Sequence, residues 1–138
     1  MITSDKQYRA AQDQLAKLEI SGNASGKPGV SKVIVDATRS QINELAEELR
    51  AKINEYERTR AMQPEDIPIR SIDDLMVAPI RYRIASQLST DAFARLVGIS
   101  VRQILRYESQ AYQNSSVPNL KKILARLNIR LRGKVESG

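Results

Sequence analysis

Hydrophobic positions recur along this chain at the three-to-four-residue spacing of helices, and no segment shows a strong strand-like alternation of apolar and polar residues. From about residue 33 to residue 62 the apolar positions form a stripe about 100° wide, which predicts one long helix packed on one side. With half its surface apolar, such a helix needs the first helix folded back on it, a second copy, or another protein. The predicted partner-binding or dimerisation face consists of Ile42, Leu45, Leu49, Ile53 and Tyr56.

A shorter amphipathic helix and a break precede the long helix. Thr3 or Ser4 can cap the short helix, and Gln7 completes a capping-box pattern with Ser4. The segment 21–32, SGNASGKPGVSK, is rich in glycine and contains a proline, so it predicts a flexible loop. Residues 1–63 are therefore expected to form a helical hairpin or a long amphipathic helix.

Prolines separate this N-terminal segment from a second domain. Pro64 and Pro68 exclude helix and predict a linker over residues 64–70. The domain that follows is expected to span residues 71–131, with a tail over residues 132–138. Ser71 can cap its first helix, and Pro79 either kinks that helix or marks its real start, which would make residues 80–86 the working helix.

The segment 88–108, LSTDAFARLVGISVRQILRYE, predicts two short helices joined by a tight turn. Ser89 can cap the first helix, Gly98 gives the turn its conformational freedom, and Ser100 can cap the second helix. On the second helix two arginines lie away from the face that carries Ile104 and Tyr107. One face can thus be buried while the other presents cations, as a helix-turn-helix does toward the major groove of DNA.

The remaining apolar positions complete the predicted fold with a closing amphipathic helix. The expected fold class is all-α, with the N-terminal helical segment followed by a compact domain of four to five helices. The apolar positions of the closing helix are Leu120, Ile123, Leu124 and Leu127.

The charge of the chain is concentrated in its second half. The net charge is +6, with 22 Lys and Arg against 16 Asp and Glu. Residues 1–71 hold 11 basic and 11 acidic side chains, whereas residues 72–138 hold 11 and 5. Basic groups clustered on one domain attract the phosphate backbone of nucleic acids, which predicts DNA binding by the second domain.

Several residues of the segment 88–108 stand at the fixed offsets of a known motif. They are Leu88, Phe93, Ala94, Gly98, Ile99, Ser100, Ile104, Arg106, Tyr107 and Glu108. In these positions the chain resembles the Cro/C1-type (Xre-like) helix-turn-helix family, which implies a compact domain that binds double-stranded DNA. Two positions depart from the family pattern: Gln87 stands where glycine is common, and Thr90 stands where glutamine is usual.

The resemblance also implies which side chains contact DNA. Val101, Arg102 and Arg106 occupy the positions that face base edges, and the Arg102 guanidinium can bind O6 and N7 of guanine. Arg102 has a phosphate contact as its alternative, and Leu105 suits either a thymine methyl or a partner protein. The predicted backbone contacts are Thr90, Gln103, Asn114 and Ser115.

Family members also brace the second helix of the motif from inside the domain. An arginine of the domain's first helix reaches the glutamate that ends the second helix of the motif, and Arg83 and Glu108 fit this pair. The implied role is structural, because losing one partner would leave the charge of the other buried alone.

The sequence offers little for catalysis. It has no histidine and no cysteine, which removes the commonest general base, the thiolate nucleophile and most transition-metal ligands. We therefore expect a protein that is not an enzyme and that needs no cofactor or metal. No apolar run approaches the roughly 18 residues of a membrane span, and the N-terminus lacks a signal pattern, so we expect a cytoplasmic protein without a membrane partner.

These observations favour a sequence-specific DNA-binding transcriptional regulator. A domain of this size covers few base pairs, so a homodimer on a palindromic operator with half-sites about 34 Å apart is expected. The short helix, glycine-rich break and long helix resemble the arrangement in HigA-type antitoxins, which implies that the N-terminal half binds a small toxin and that the dimer represses its own operon. The alternative is a stand-alone phage- or repressor-like regulator whose N-terminal helix only mediates self-association. A pure interaction module is a second class, and the retained basic residues count against it.

Overall fold

The structure, a computed structural model, describes residues 1–23 and 31–138. Within these residues the structure contains helices and no strand, which confirms the predicted all-α class. The chain divides into two compact units, Met1–Ala61 and Met62–Gly138. In the described ranges no helix combines the length and the apolar character that crossing a bilayer requires.

The N-terminal unit is a hairpin of two helices, α1 (Asp5–Asn23) and α2 (Lys32–Ala61). The Ser4 hydroxyl accepts the amide hydrogen of Gln7 at 3.2 Å, as the predicted cap requires. The predicted loop 21–32 is wrong at its edges, because residues 21–23 complete α1 and Lys32 begins α2. The rest of the predicted loop, residues 24–30, lies outside the described residues.

Two tyrosines join the start of α1 to the end of α2. The rings of Tyr8 and Tyr56 lie 5.1 Å apart, and the Tyr56 hydroxyl donates to Asp5 Oδ1 at 2.7 Å. The Tyr8 hydroxyl donates to the Glu57 carboxylate, and this hydrogen bond raises the pKa of Tyr8. The stripe predicted on α2 is therefore partly used inside the hairpin itself.

The five residues of the predicted partner face differ in how far this packing covers them. Ile53 and Tyr56 are buried, with 7% and 6% of their surfaces exposed, and Ile42 and Leu49 are half-buried. Leu45 remains 50% exposed. Of the five, Leu45 is thus the residue whose apolar surface is most open to a partner.

The C-terminal unit begins with the proline-containing segment. Pro64–Asp66 form a short 3-10 helix, and Ile67 and Ile69 are half-buried. Rather than a free linker, this segment is part of the C-terminal unit, because its isoleucines cover apolar surface there. Together with Tyr82 and the chain around Ile129 it lines an open cavity of about 390 Å³.

Four helices follow, each begun by a serine: α3 (Ile72–Ala85), α4 (Thr90–Val97), α5 (Val101–Ser109) and α6 (Val117–Arg126). The side chains of Ser71, Ser89, Ser100 and Ser116 each accept the backbone N–H three residues later, at 3.1 to 3.2 Å. A cap of this kind contributes about 1 kcal/mol. Helix α3 runs through Pro79, so the alternative in which the working helix begins after that proline is wrong. The helices enclose a core whose largest members are Tyr107, Tyr112, Phe93, Ile80, Ile104 and Ile123.

Two neighbouring tyrosines in this core predict opposite effects of removing a hydroxyl. The rings of Tyr107 and Tyr112 lie 5.3 Å apart. The Tyr112 hydroxyl is buried and has no hydrogen-bond partner among the described residues, whereas the Tyr107 hydroxyl accepts from Asn119 Nδ2 at 2.7 Å. Burial raises the pKa of the Tyr112 hydroxyl, so this group stays protonated and neutral inside the domain.

We expect Tyr112→Phe to raise the free energy of unfolding by about 1 kcal/mol, because an unpaired buried hydroxyl costs about 1–3 kcal/mol. The matched change Tyr107→Phe removes a satisfied hydroxyl and should lower it by about 1 kcal/mol. Urea denaturation followed by circular dichroism measures both. Equal destabilisation by the two changes would show that the Tyr112 hydroxyl has a partner in solution.

Candidate nucleic-acid interface

The turn between α4 and α5 depends on one glycine. Gly98 has φ 71° and ψ 35°, the left-handed conformation that a residue with a side chain rarely adopts. The amide hydrogens of Gly98 and Ile99 both bond to the carbonyl of Ala94, at 2.9 and 3.1 Å, and close the end of α4. The chain then reaches Ser100, whose cap sets the first residue of α5.

Helix α5 separates a buried face from a cationic one. Ile104 and Tyr107 are 0% and 2% exposed and pack into the domain. On the outer face Arg102 and Arg106 are exposed, and Leu105 between them is 52% exposed. Neither guanidinium has an ion-pair partner within residues 1–23 and 31–138, so both are available to an anionic ligand. Val101 and Gln103, also predicted to contact DNA, are half-buried at the start of the same helix.

A buried ion pair fixes α5 against α3. Arg83 donates from Nε to one oxygen of Glu108 at 2.7 Å and from Nη2 to the other at 2.8 Å. Its Nη1 donates to the carbonyl of Leu88 at 3.1 Å, just before α4. The two side chains are only 7% and 6% exposed, so the bridge lies in the interior. One guanidinium on α3 thereby holds both α5 and the segment just before α4.

The Tyr107 hydroxyl connects α5 with α6. Burial raises the pKa of this group, but hydrogen bonds with Asn119, Gln103 and Ser116 outweigh burial and lower it. The side chain of Gln103, predicted to contact phosphate, lies close to this hydroxyl. Thr90, the first residue of α4, is half-buried.

The loop after α5 uses its polar side chains internally. The carbonyl of Arg106 accepts from Ser109 Oγ at 2.7 Å and from Asn114 Nδ2 at 3.2 Å. Ser115 donates its hydroxyl hydrogen to the carbonyl of Tyr112 at 2.8 Å. A hydroxyl has one hydrogen, so Ser115 cannot donate to a phosphate without breaking this bond, whereas Asn114 keeps a second amide hydrogen.

Two residues of α6, Lys122 and Asn119, make contacts with the motif that no sequence pattern indicated. Lys122 donates from Nζ to the carbonyl of Gly98 at 2.9 Å, and Asn119 holds the Tyr107 hydroxyl. Lys122 is 24 residues from Gly98, and no local spacing relates the two. Only the position of Lys122 on the α4-facing side of α6 could have suggested the contact.

A comparison with protein families agrees with this geometry. The family model described as helix-turn-helix matches residues 80–133. Comparison with curated proteins and with solved structures gave no match. The matched range contains α4, the Gly98 turn, α5 and α6. The C-terminal unit of this chain therefore carries a helix-turn-helix domain.

Proposed function

We propose that this protein is a DNA-binding transcriptional regulator and that α5 is its recognition helix. The observation that carries the proposal is a pair of exposed arginines, Arg102 and Arg106, which lack an ion-pair partner within the described residues and lie on a helix whose opposite face is buried. Guanidinium groups are the commonest specific partners of guanine in the major groove. The surrounding unit, residues 62–138, has 12 basic and 7 acidic side chains, a net charge of +5 that favours approach to DNA.

The roles of the individual side chains follow from their positions on α5. Arg102 lies in the first turn and is proposed to bind a guanine edge, with Arg106 one turn further along the groove. Val101 and Leu105 are proposed to contact thymine methyl groups. Thr90, Gln103 and Asn114 are proposed as contacts to the sugar–phosphate backbone.

Replacing Arg102 by alanine should weaken binding to a selected operator by about 1–3 kcal/mol and relax base preference at one position. Binding-site selection from a random duplex library, followed by fluorescence anisotropy on the selected sites, measures both effects. The matched control is Arg95→Ala, which removes an exposed arginine from α4 and should leave the base preference intact. Equal weakening on all sequences would make Arg102 a phosphate contact. If the wild-type protein does not bind random duplex DNA even at low salt, the proposed function itself is wrong.

For the N-terminal unit we propose a protein-binding role, as the antitoxin and autorepressor of a toxin–antitoxin pair. Residues 1–61 hold 10 basic and 9 acidic side chains, so this unit has little of the charge that attracts DNA. Its two helices leave Leu45 half exposed, which supports contact with another protein. The proposed dimer would place two recognition helices on a palindromic operator.

Co-expression with the product of the neighbouring gene tests the antitoxin role. Co-purification of a small toxic protein, abolished by Leu45→Glu, would support it. If the neighbouring product is not toxic or does not co-purify, and light scattering shows a dimer that Leu45→Glu dissociates, the N-terminal unit mediates self-association only.

A further inference from the structure

Two cations of α6 meet at the turn of the helix-turn-helix. Lys122 and Arg126 are four residues apart, which places them on one side of α6. Lys122 Nζ and Arg126 Nη2 lie 3.6 and 3.9 Å from the point that a Cβ on Gly98 would occupy. Because residue 98 is a glycine, no side chain at the turn covers these two groups.

Neither cation is neutralised by a carboxylate among residues 1–23 and 31–138. In the part of the chain that the structure describes, no carboxylate lies within salt-bridge distance of Lys122 or Arg126. Lys122 uses one of its three hydrogens on the carbonyl of Gly98, and the Arg126 guanidinium has no hydrogen-bond partner there. Both residues are exposed. Two like charges that both lie within 4 Å of one point repel each other, and an anion bound there would relieve that repulsion.

We propose that Lys122 and Arg126 together bind one backbone phosphate of duplex DNA. This inference rests on the proposed function and adds a contact that lies outside α5 and the loop after it. Gly98 precedes Ser100, the cap of α5, by two residues, so the cation pair lies beside the end of the helix that carries Arg102. A phosphate suits the pair because the planar guanidinium can bind two of its oxygens while an ammonium supplies a point charge.

The pair has a purely structural alternative. Cations near the last carbonyls of a helix stabilise its C-terminus, and Lys122 already bonds the carbonyl of Gly98 at the end of α4. That role needs Lys122 but gives no function to Arg126. It predicts a loss of stability on substitution and no change in the salt dependence of DNA binding, so the two explanations can be separated.

The test compares the salt dependence of binding to a random-sequence duplex for the full-length wild type and the double variant Lys122→Gln/Arg126→Gln. One lost phosphate contact should reduce the slope of log K against log salt by about 0.9. When the salt concentration rises from 50 to 200 mM, both proteins lose affinity. The fold-decrease should be about 3–4 times smaller for the variant than for the wild type. Arg126→Gln alone keeps the Lys122–Gly98 bond and should give part of this reduction, and it decides the question if the double variant fails to fold.

The matched control is Lys121→Gln/Lys134→Gln, which removes the same charge from exposed positions away from the turn. A smaller slope only in the Lys122/Arg126 variants supports the inference. An unchanged slope in those variants, or an equal reduction in the control, overturns it while the wild type still binds DNA. A wild type that does not bind the duplex at 50 mM salt overturns the proposed function together with this inference.

Discussion

Replacing Glu108 by glutamine should lower the free energy of unfolding of the C-terminal unit by about 3–5 kcal/mol. The substitution keeps the size of the side chain but removes the carboxylate charge that faces the buried Arg83 guanidinium, which is a far larger cost than losing a surface ion pair. Because the bridge also fixes α5 against α3, we expect DNA affinity to fall together with stability. Urea denaturation gives the free energy, and anisotropy at a temperature where the variant is folded gives the affinity.

Two further variants separate the bridge from a general charge effect. Glu136→Gln removes a negative charge from the exposed tail and should change stability by less than about 0.5 kcal/mol. Arg83→Met/Glu108→Leu removes both buried charges and should recover much of the loss, because an apolar pair avoids the desolvation cost. A loss below about 1 kcal/mol in Glu108→Gln would mean that water reaches Arg83 and that the bridge is not buried in solution.

A fragment of residues 62–138 should fold without the N-terminal unit and bind DNA much more weakly than the full chain. This unit contains the serine caps of α3 to α6, the Arg83–Glu108 bridge and the core around Tyr107 and Tyr112. If the N-terminal unit dimerises the protein, its removal makes binding to two half-sites independent and should cost about 10²–10⁴-fold in affinity. A melt followed by circular dichroism tests folding, and titration of a duplex with two half-sites tests affinity.

The same fragment on a duplex with a single half-site provides the control, since its affinity there should match that of one full-length subunit. Equal affinity of fragment and full chain for the double site would show that the N-terminal unit does not hold two domains together. A fragment without a cooperative transition would show that residues 62–138 depend on the hairpin for folding.

Local patterns were sufficient to predict how the helices of the C-terminal unit begin. Each predicted serine cap, at Ser71, Ser89 and Ser100, is confirmed, because a cap depends on a backbone group only three residues away. The Gly98 turn is of the same local kind. The long helix was also indicated by its stripe, because a one-sided apolar surface is visible in the spacing alone.

Contacts set by tertiary structure could not be predicted in this way. Ala111 and Tyr112 adopt positive φ angles of 49° and 62°, although neither is a residue type that signals a left-handed turn. The family resemblance implied phosphate contacts by Asn114 and Ser115, but it did not indicate that the reversal of the chain also brings both side chains onto carbonyls of the domain. The N-terminal hairpin was ambiguous for a related reason, because the apolar stripe on α2 does not identify which surface will cover it.

Helix α5, the proposed recognition helix, is held in place along its whole length by contacts within the domain. Ser100 fixes its first turn, the Tyr107 hydroxyl and the Arg83–Glu108 bridge hold its body, and Ser109 and Asn114 close its last turn. Ordering flexible groups at an interface costs about 0.5–1.5 kcal/mol for each long side chain, and ordering backbone costs more. In this domain the conformational entropy of the helix is lost during folding, so binding has to order little more than the outer side chains. If a substitution removed one of these internal partners, part of the helix would have to be ordered when DNA binds, and affinity would fall.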